Sequence, residues 1–302
     1  MGVRTSVAAL ILTCLCQATP LLSSQGRNPV NIDPALAFAH IQKLVSYGPR
    51  PPGSPGIAQA QSYITGCLKK LNLVVEHDDF LANTPNGSVP MKNILARHEG
   101  GRNDVIILAS HYDTLLMPNA PFVGANDGGS STGLLLELAR VVSQQKRASA
   151  VWFVFFDGEE AQKSWTEEDS LYGSRHFLEK LQTDGDEKKI KAMILLDMIG
   201  DKDLVLEKDL SSTPWLLDLV FKSAQDLGHA KHLATSPKAM MDDHTPFVRA
   251  GIPAVDLIDY SFGFANLHWH SPNDTLDKIS PQSLKIVGEI VLKTLDKLAP
   301  RL

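Results

Sequence analysis

The feature that most constrains this chain is a repeated unit: a short apolar run that ends in acids or histidines and leads towards an amphipathic helical pattern. VIILAS runs into His111-Tyr112-Asp113, VWFVFF into Asp157-Gly158-Glu159-Glu160, and MILL into Asp197. Runs of this length, rich in Val, Ile and Phe, read as strands, predicted at 73–76, 93–96, 105–109, 150–156, 193–196 and 254–258. Helical periodicity predicts helices at 59–71, 132–144, 174–181, 214–227 and 282–298, and Asp33-Pro34 caps an earlier one over ALAFAHIQKLV. Strands buried on both sides and separated by helices imply an α/β sheet covered on both faces. No Gly/Ser linker or shift of composition divides residues 30–302, which are expected to form one domain.

The balance of 43% hydrophobic and 21% charged residues is that of an ordinary globular chain. A net charge of -5 without a basic block argues against nucleic acid and against an anionic membrane surface as partners. The first 24 residues read differently. Arg4, an apolar stretch of ten (VAALILTCLC) and small residues after it form an export signal, with cleavage expected after Ala18 or Ser24. The stretch is too short to span a bilayer comfortably, so export into a secreted or periplasmic space is expected rather than anchoring. Cleavage would remove two of the three cysteines and leave Cys67 as a small core residue of a helix.

Strand ends that carry acids converge, because sites of open α/β sheets form beyond the carboxyl ends of the strands. Several carboxylates buried together need a cation or shared protons to offset their repulsion. Mixed imidazole and carboxylate donors, without a thiolate cluster, suit zinc better than calcium or magnesium. The candidates are Asp113, Asp127, Glu159, Glu160, Asp197, Asp242, Asp243, His111, His244, His268 and His270. Each has a plainer reading. Asp127 could cap the helix near Thr132, Asp197 could be a strand-end acid, and either His268 or His270 could be the ligand. Glu159-Glu160 resists such a reading, because acids abutting a buried strand require a partner. Gly129-Ser130-Ser131-Thr132-Gly133 fits the G-x-S-x-G pattern of serine hydrolases. That motif needs a strand immediately before it, and MPNAPFVGAND reads as a loop.

At these residues the chain resembles the zinc aminopeptidase superfamily that also contains the animal-type glutaminyl cyclases. The strongest block is FFDGEEA, Trp165 and DSLYGSRHF; SHYDT, VGAND, LLDMIG, DDHTPF and WHSPNDT support it. The resemblance implies a single α/β domain with a central mixed, mostly parallel twisted sheet and helices on both faces. It implies Asp127, Glu160 and His270 as zinc ligands, Glu159 as general acid/base, and Asp197 and Asp242 as the acidic pair beside the metal. Trp165 and Trp269 become pocket walls, and His270 is preferred over His268 because it follows the tryptophan directly.

The superfamily holds two chemistries. A cyclase with one Zn2+ per chain converts N-terminal glutamine of peptides to pyroglutamate. An aminopeptidase uses two, the second held by His111, Asp127 and Asp197. The run from Glu159 to His176 and the Trp269-His270 pair favour the cyclase. Ser110 and Thr132 stand where many animal cyclases have a disulfide, Met241 replaces a common glutamine, and YSFGFANLH aligns poorly. The expected partners are peptide or protein N-termini, and the chain is read as a monomer. A metal-free binding protein on the same scaffold is the third possibility.

Overall fold

A computed structural model describes residues 1–2 and 31–301 of the protein. Apart from Met1 and Gly2, the expected leader lies outside the described residues. The three apolar runs singled out above form the centre of the molecule: β3 (Val105–His111), β4 (Ala150–Phe156) and β5 (Ile190–Asp197). Every residue of β3 and β4 is buried. With β1 (Val74–Thr84), β2 (Gly87–His98) and β8 (Ala254–Ile258) they make a six-stranded sheet of order β1-β2-β4-β3-β5-β8. Strands β4, β3, β5 and β8 are mutually parallel, while β2 runs antiparallel to both β1 and β4. The sheet is therefore mixed and mostly parallel, as expected.

Period-two alternation assigns each strand residue to a face. Ile107, Trp152, Val154, Phe156, Met193 and Leu195 belong to one apolar cluster with Phe177, Leu181 and Phe247. The last three come from α4 (Tyr172–Asp184) and α6 (Thr245–Arg249). On the other side α1 (Pro34–Val45), α3 (Gly129–Ser143), α5 (Pro214–Asp226) and α7 (Pro281–Leu298) form a contiguous layer, with α2 (Pro55–Lys69) against α3 and the β1–β2 hairpin. Burying one such Phe or Leu contributes about 1.5–3 kcal/mol. The paired central strands therefore form a stiff floor for the loops at their carboxyl ends.

The elements differ from expectation where the sequence is polar. β1 and β2 extend into a long hairpin around Pro85-Asn86, because alternating half-exposed residues such as Glu76, Asp78 and Phe80 carry no apolar run. A second, two-stranded parallel sheet, β6 (Leu206–Asp209) with β7 (Leu233–Lys238), was not foreseen, nor was α6. Helix α2 starts four residues earlier than expected, where Ser54 accepts the Ile57 N–H and Pro55 opens the first turn. Among the described residues no helix is long and apolar enough to cross a membrane.

Candidate active site

The carboxyl ends of the parallel strands deliver the polar residues to one place. His111 and Asp197 are the last residues of β3 and β5; Glu159 and Glu160 follow β4 within four residues. Asp127 arrives on the loop before α3, Asp242 on the turn before α6, and His270 on the loop after β8. The N-cap of α3 is Gly128, and no side chain caps that end. The plain helix-cap reading of Asp127 is thereby removed. Gly128 is obligatory: its φ is 69°, and a Cβ there would sit 2.6 Å from the Asp113 carbonyl oxygen. Ser131 lies inside α3, which is preceded by the loop 112–128 and not directly by a strand, so the serine-hydrolase context is missing.

Two trios of donors form, and they share Asp127. In the first, His270 Nε2 lies 3.3 Å from Asp127 Oδ2 and 3.2 Å from Glu160 Oε2. In the second, His111 Nε2 lies 3.3 Å from Asp127 Oδ1 and 3.1 Å from Asp197 Oδ1. Ligands held 2.0–2.1 Å from a tetrahedral ion are about 3.3 Å apart, so the distances from each histidine are zinc-like, and the donor atoms of each trio all lie within 4.8 Å of one another. Both Glu160 oxygens and Asp127 Oδ2 are buried without a hydrogen-bond partner. Such groups await a cation. The donors present therefore fit the metal that the ligand chemistry suggests.

The electrostatics follow from crowding. Burial disfavours charge on His111, yet Glu159, Asp113, Asp127 and Asp197 outweigh it and raise its pKa well above the ordinary value. Burial, followed by Asp242 and Glu160, pushes Glu159 far up, with His111 opposing. Burial together with Asp127 lifts Glu160 to about 7, and burial with Asp242 lifts Asp197 to about 6. Burial raises Asp242 as well. Acids raised in this way hold protons more readily than free carboxylates, which suits acid–base chemistry.

A cavity of about 570 Å³ opens over the first trio. Asp127, Glu159, Glu160, Asp197, Asp242 and His270 reach its surface, and His111 does not. Trp165, 41% exposed, and Trp269 form parts of its wall, so neither is a plain core aromatic. Trp269 stacks on His270 with ring centres 3.9 Å apart, and Tyr260 meets Trp269 edge-on. His270 itself has φ 47°, a left-handed conformation rare outside glycine, which is a strain common at functional sites. His268 instead packs against Phe262.

Several of the candidate acids and histidines have other duties. Asp113 belongs to neither trio; its carboxylate accepts the backbone N–H groups of Glu159 (3.2 Å) and Glu160 (3.3 Å) and so positions that pair. His244 pairs with Asp209 at 3.1 Å, and Asp243 is buried with both oxygens unpartnered. Sequence reasoning missed Asp274, whose carboxylate accepts the N–H groups of Asn126 (2.7 Å) and Asp127 (3.0 Å). It also missed the fully buried Arg50, which donates to the carbonyls of Tyr112, Val123 and Gly124. Asp256, on β8 beside Asp242, was missed too, although an acid inside AVDLI was a visible signal. Burial and Asp242 raise its pKa well above the carboxylate range.

Comparison with known proteins agrees with this architecture. Residues 93–295 match peptidase family M28. A glutaminyl-peptide cyclotransferase-like protein of Bos taurus is 32% identical over 273 residues, covering 80% of this chain and 70% of its own length. The crystal structure of an Acidobacteriales bacterium glutaminyl cyclase superposes with a TM-score of 0.87 at 39% identity, covering 95% of this chain and all of that one. A leucine aminopeptidase precursor from Bacteroides thetaiotaomicron shares the fold with a TM-score of 0.81 at 27% identity, covering 89% and 98%. From its sequence, its sheet and its relatives, this chain belongs to peptidase family M28 and, within that family, to the glutaminyl cyclases.

Proposed function

We propose that this enzyme converts the N-terminal glutamine of peptides and proteins to pyroglutamate with release of ammonia, using one Zn2+ held by Asp127, Glu160 and His270. The observation that carries the zinc assignment is the gathering of that trio's donor atoms within 4.8 Å of one another at the floor of the cavity, with Glu159 next in sequence. Bound there, zinc would polarise the side-chain amide carbonyl as a Lewis acid.

The remaining chemistry belongs to the protein. The substrate's α-amine attacks its own side-chain amide carbon, forming the C–N bond of a five-membered lactam. Glu159 takes the proton that the amine loses and delivers it to the departing nitrogen, which leaves as ammonia. Asp197 and Asp242, both pushed towards protonation by burial, share a proton and keep Glu159 supplied. Trp165 and Trp269 hold the glutamine in its cyclising shape, and in an intramolecular reaction that restraint contributes much of the acceleration. Asp113 fixes the Glu159–Glu160 backbone so that one carboxylate faces the metal and the other the proton in flight.

The second trio favours a two-zinc aminopeptidase as the alternative. Incubation with Gln-, Leu- and Ala-peptides separates the two. Cyclisation with release of ammonia, seen by mass spectrometry, supports the cyclase; free leucine or alanine supports the peptidase. Residues 1–24 complete the proposal as an export signal, which N-terminal sequencing of the secreted protein tests.

A further inference from the structure

The cavity of about 570 Å³ is larger than a single glutamine side chain fills, so residues after the N-terminal glutamine also lie against its walls. Its floor is acidic. Among the lining residues one, Lys238, is a lysine or arginine. This lysine closes β7, where its carbonyl accepts the Leu210 N–H at 2.7 Å. Just beyond it, Asp209 accepts the Met240 N–H at 2.9 Å, so the strand end is fixed on both sides.

The Lys238 ammonium donates to Glu207, which is buried, and approaches Ser261 Oγ at 3.4 Å, while its own side chain stays 44% exposed. An ammonium has three donors, so one remains for a ligand. Its place relative to the proposed metal ligands is set by a line of aromatic rings. Lys238 Nζ is 5.9 Å from the Tyr260 ring, Tyr260 is 5.0 Å from Trp269, and Trp269 is 3.9 Å from His270. Together these steps span at most about 15 Å, which an extended peptide covers in about four residues.

We infer that Lys238 selects substrates with an acidic side chain at the second, third or fourth position, directly after the glutamine to be cyclised. The inference rests on the cyclase reading. Among the residues that line the cavity, no other lysine or arginine is present to attract an acidic side chain. An acidic preference therefore points to Lys238 specifically. The rival account is that Lys238 serves only to neutralise Glu207.

The test uses Gln-tetrapeptide amides with Glu, Ala or Lys at each of the three following positions. At one of them, Glu should raise kcat/KM roughly three- to fivefold over Ala, and the gain should shrink with added salt. Lys238→Gln keeps a donor for Glu207 and should abolish the Glu-to-Ala ratio, whereas Lys238→Arg should retain it. A ratio between two substrates does not depend on how much of a variant folds. Cyclisation at equal rates across the wild-type series overturns the inference alone. So does a preference that survives in Lys238→Gln. Failure to cyclise any Gln-peptide overturns the cyclase reading and this inference with it.

Discussion

The two donor trios share Asp127 and nearly the same spacing, yet they differ in access. His270 is 22% exposed, stacked on Trp269, and opens on the cavity. His111 is 1% exposed, and its ring is enclosed: Nε2 faces Asp127 and Asp197, while Nδ1 lies 3.4 Å from Asp113 and 3.9 Å from Glu159. A catalytic zinc needs a vacant coordination position that substrate can reach. All three members of the His270 trio line space of that kind, whereas His111 does not. Against the effect of burial, the carboxylates around both rings favour their protonated forms, raising His111 well above the ordinary value and His270 to about 10, so access and not charge separates the two trios. In the proposed reading, similar donor chemistry serves as the catalytic ligand set only where substrate can reach it, and exposure makes the difference.

The contrast can be broken most forcefully at the first trio. Glu160→Ala should abolish stoichiometric zinc and lower turnover on the order of a thousandfold. Elemental analysis showing unchanged zinc would remove Glu160 from the ligand set. Next in size is Glu159→Gln, expected to keep zinc while kcat falls about a hundred- to ten-thousandfold. Normal single-turnover rates would assign the proton transfer to another group. His111→Asn sharpens the comparison directly. One zinc per chain should remain, with activity down about ten- to a hundredfold from lost orientation of its carboxylate neighbours. A drop from two zinc ions to one would instead make His111 a ligand. The smallest effect belongs to Trp165→Ala, which should raise KM by about tenfold through lost contact area while leaving zinc bound. An unchanged KM would place Trp165 outside the substrate's reach.

What was legible in the sequence was whatever a local pattern encodes. The fully buried strands β3 and β4 announced themselves as apolar runs, and the acids at their ends followed from where strands of such sheets point. Of the hairpin β1–β2 only the segments 73–76 and 93–96 were read as strand; the rest escaped because β1 alternates between half-buried and exposed positions and the start of β2 is largely exposed. Asp274, Arg50 and Lys238 escaped for another reason. Their significance lies in partners 147, 74 and 31 positions away, Asp127, Gly124 and Glu207, which no window along the chain contains. The choice of His270 over His268 came from resemblance to a family; two histidines two apart on a loop are equivalent until one is seen to pack against Phe262 and the other to join the carboxylates.

Asp274 lies four residues after His270, and its carboxylate grips the main chain of Asp127. Two arms of the proposed metal socket, distant along the polypeptide, are therefore fastened to each other by protein alone. Folding and metallation become separable events. A chelator should strip the ion and silence the enzyme without melting it, and returning zinc should restore activity within the time of mixing, without a refolding delay.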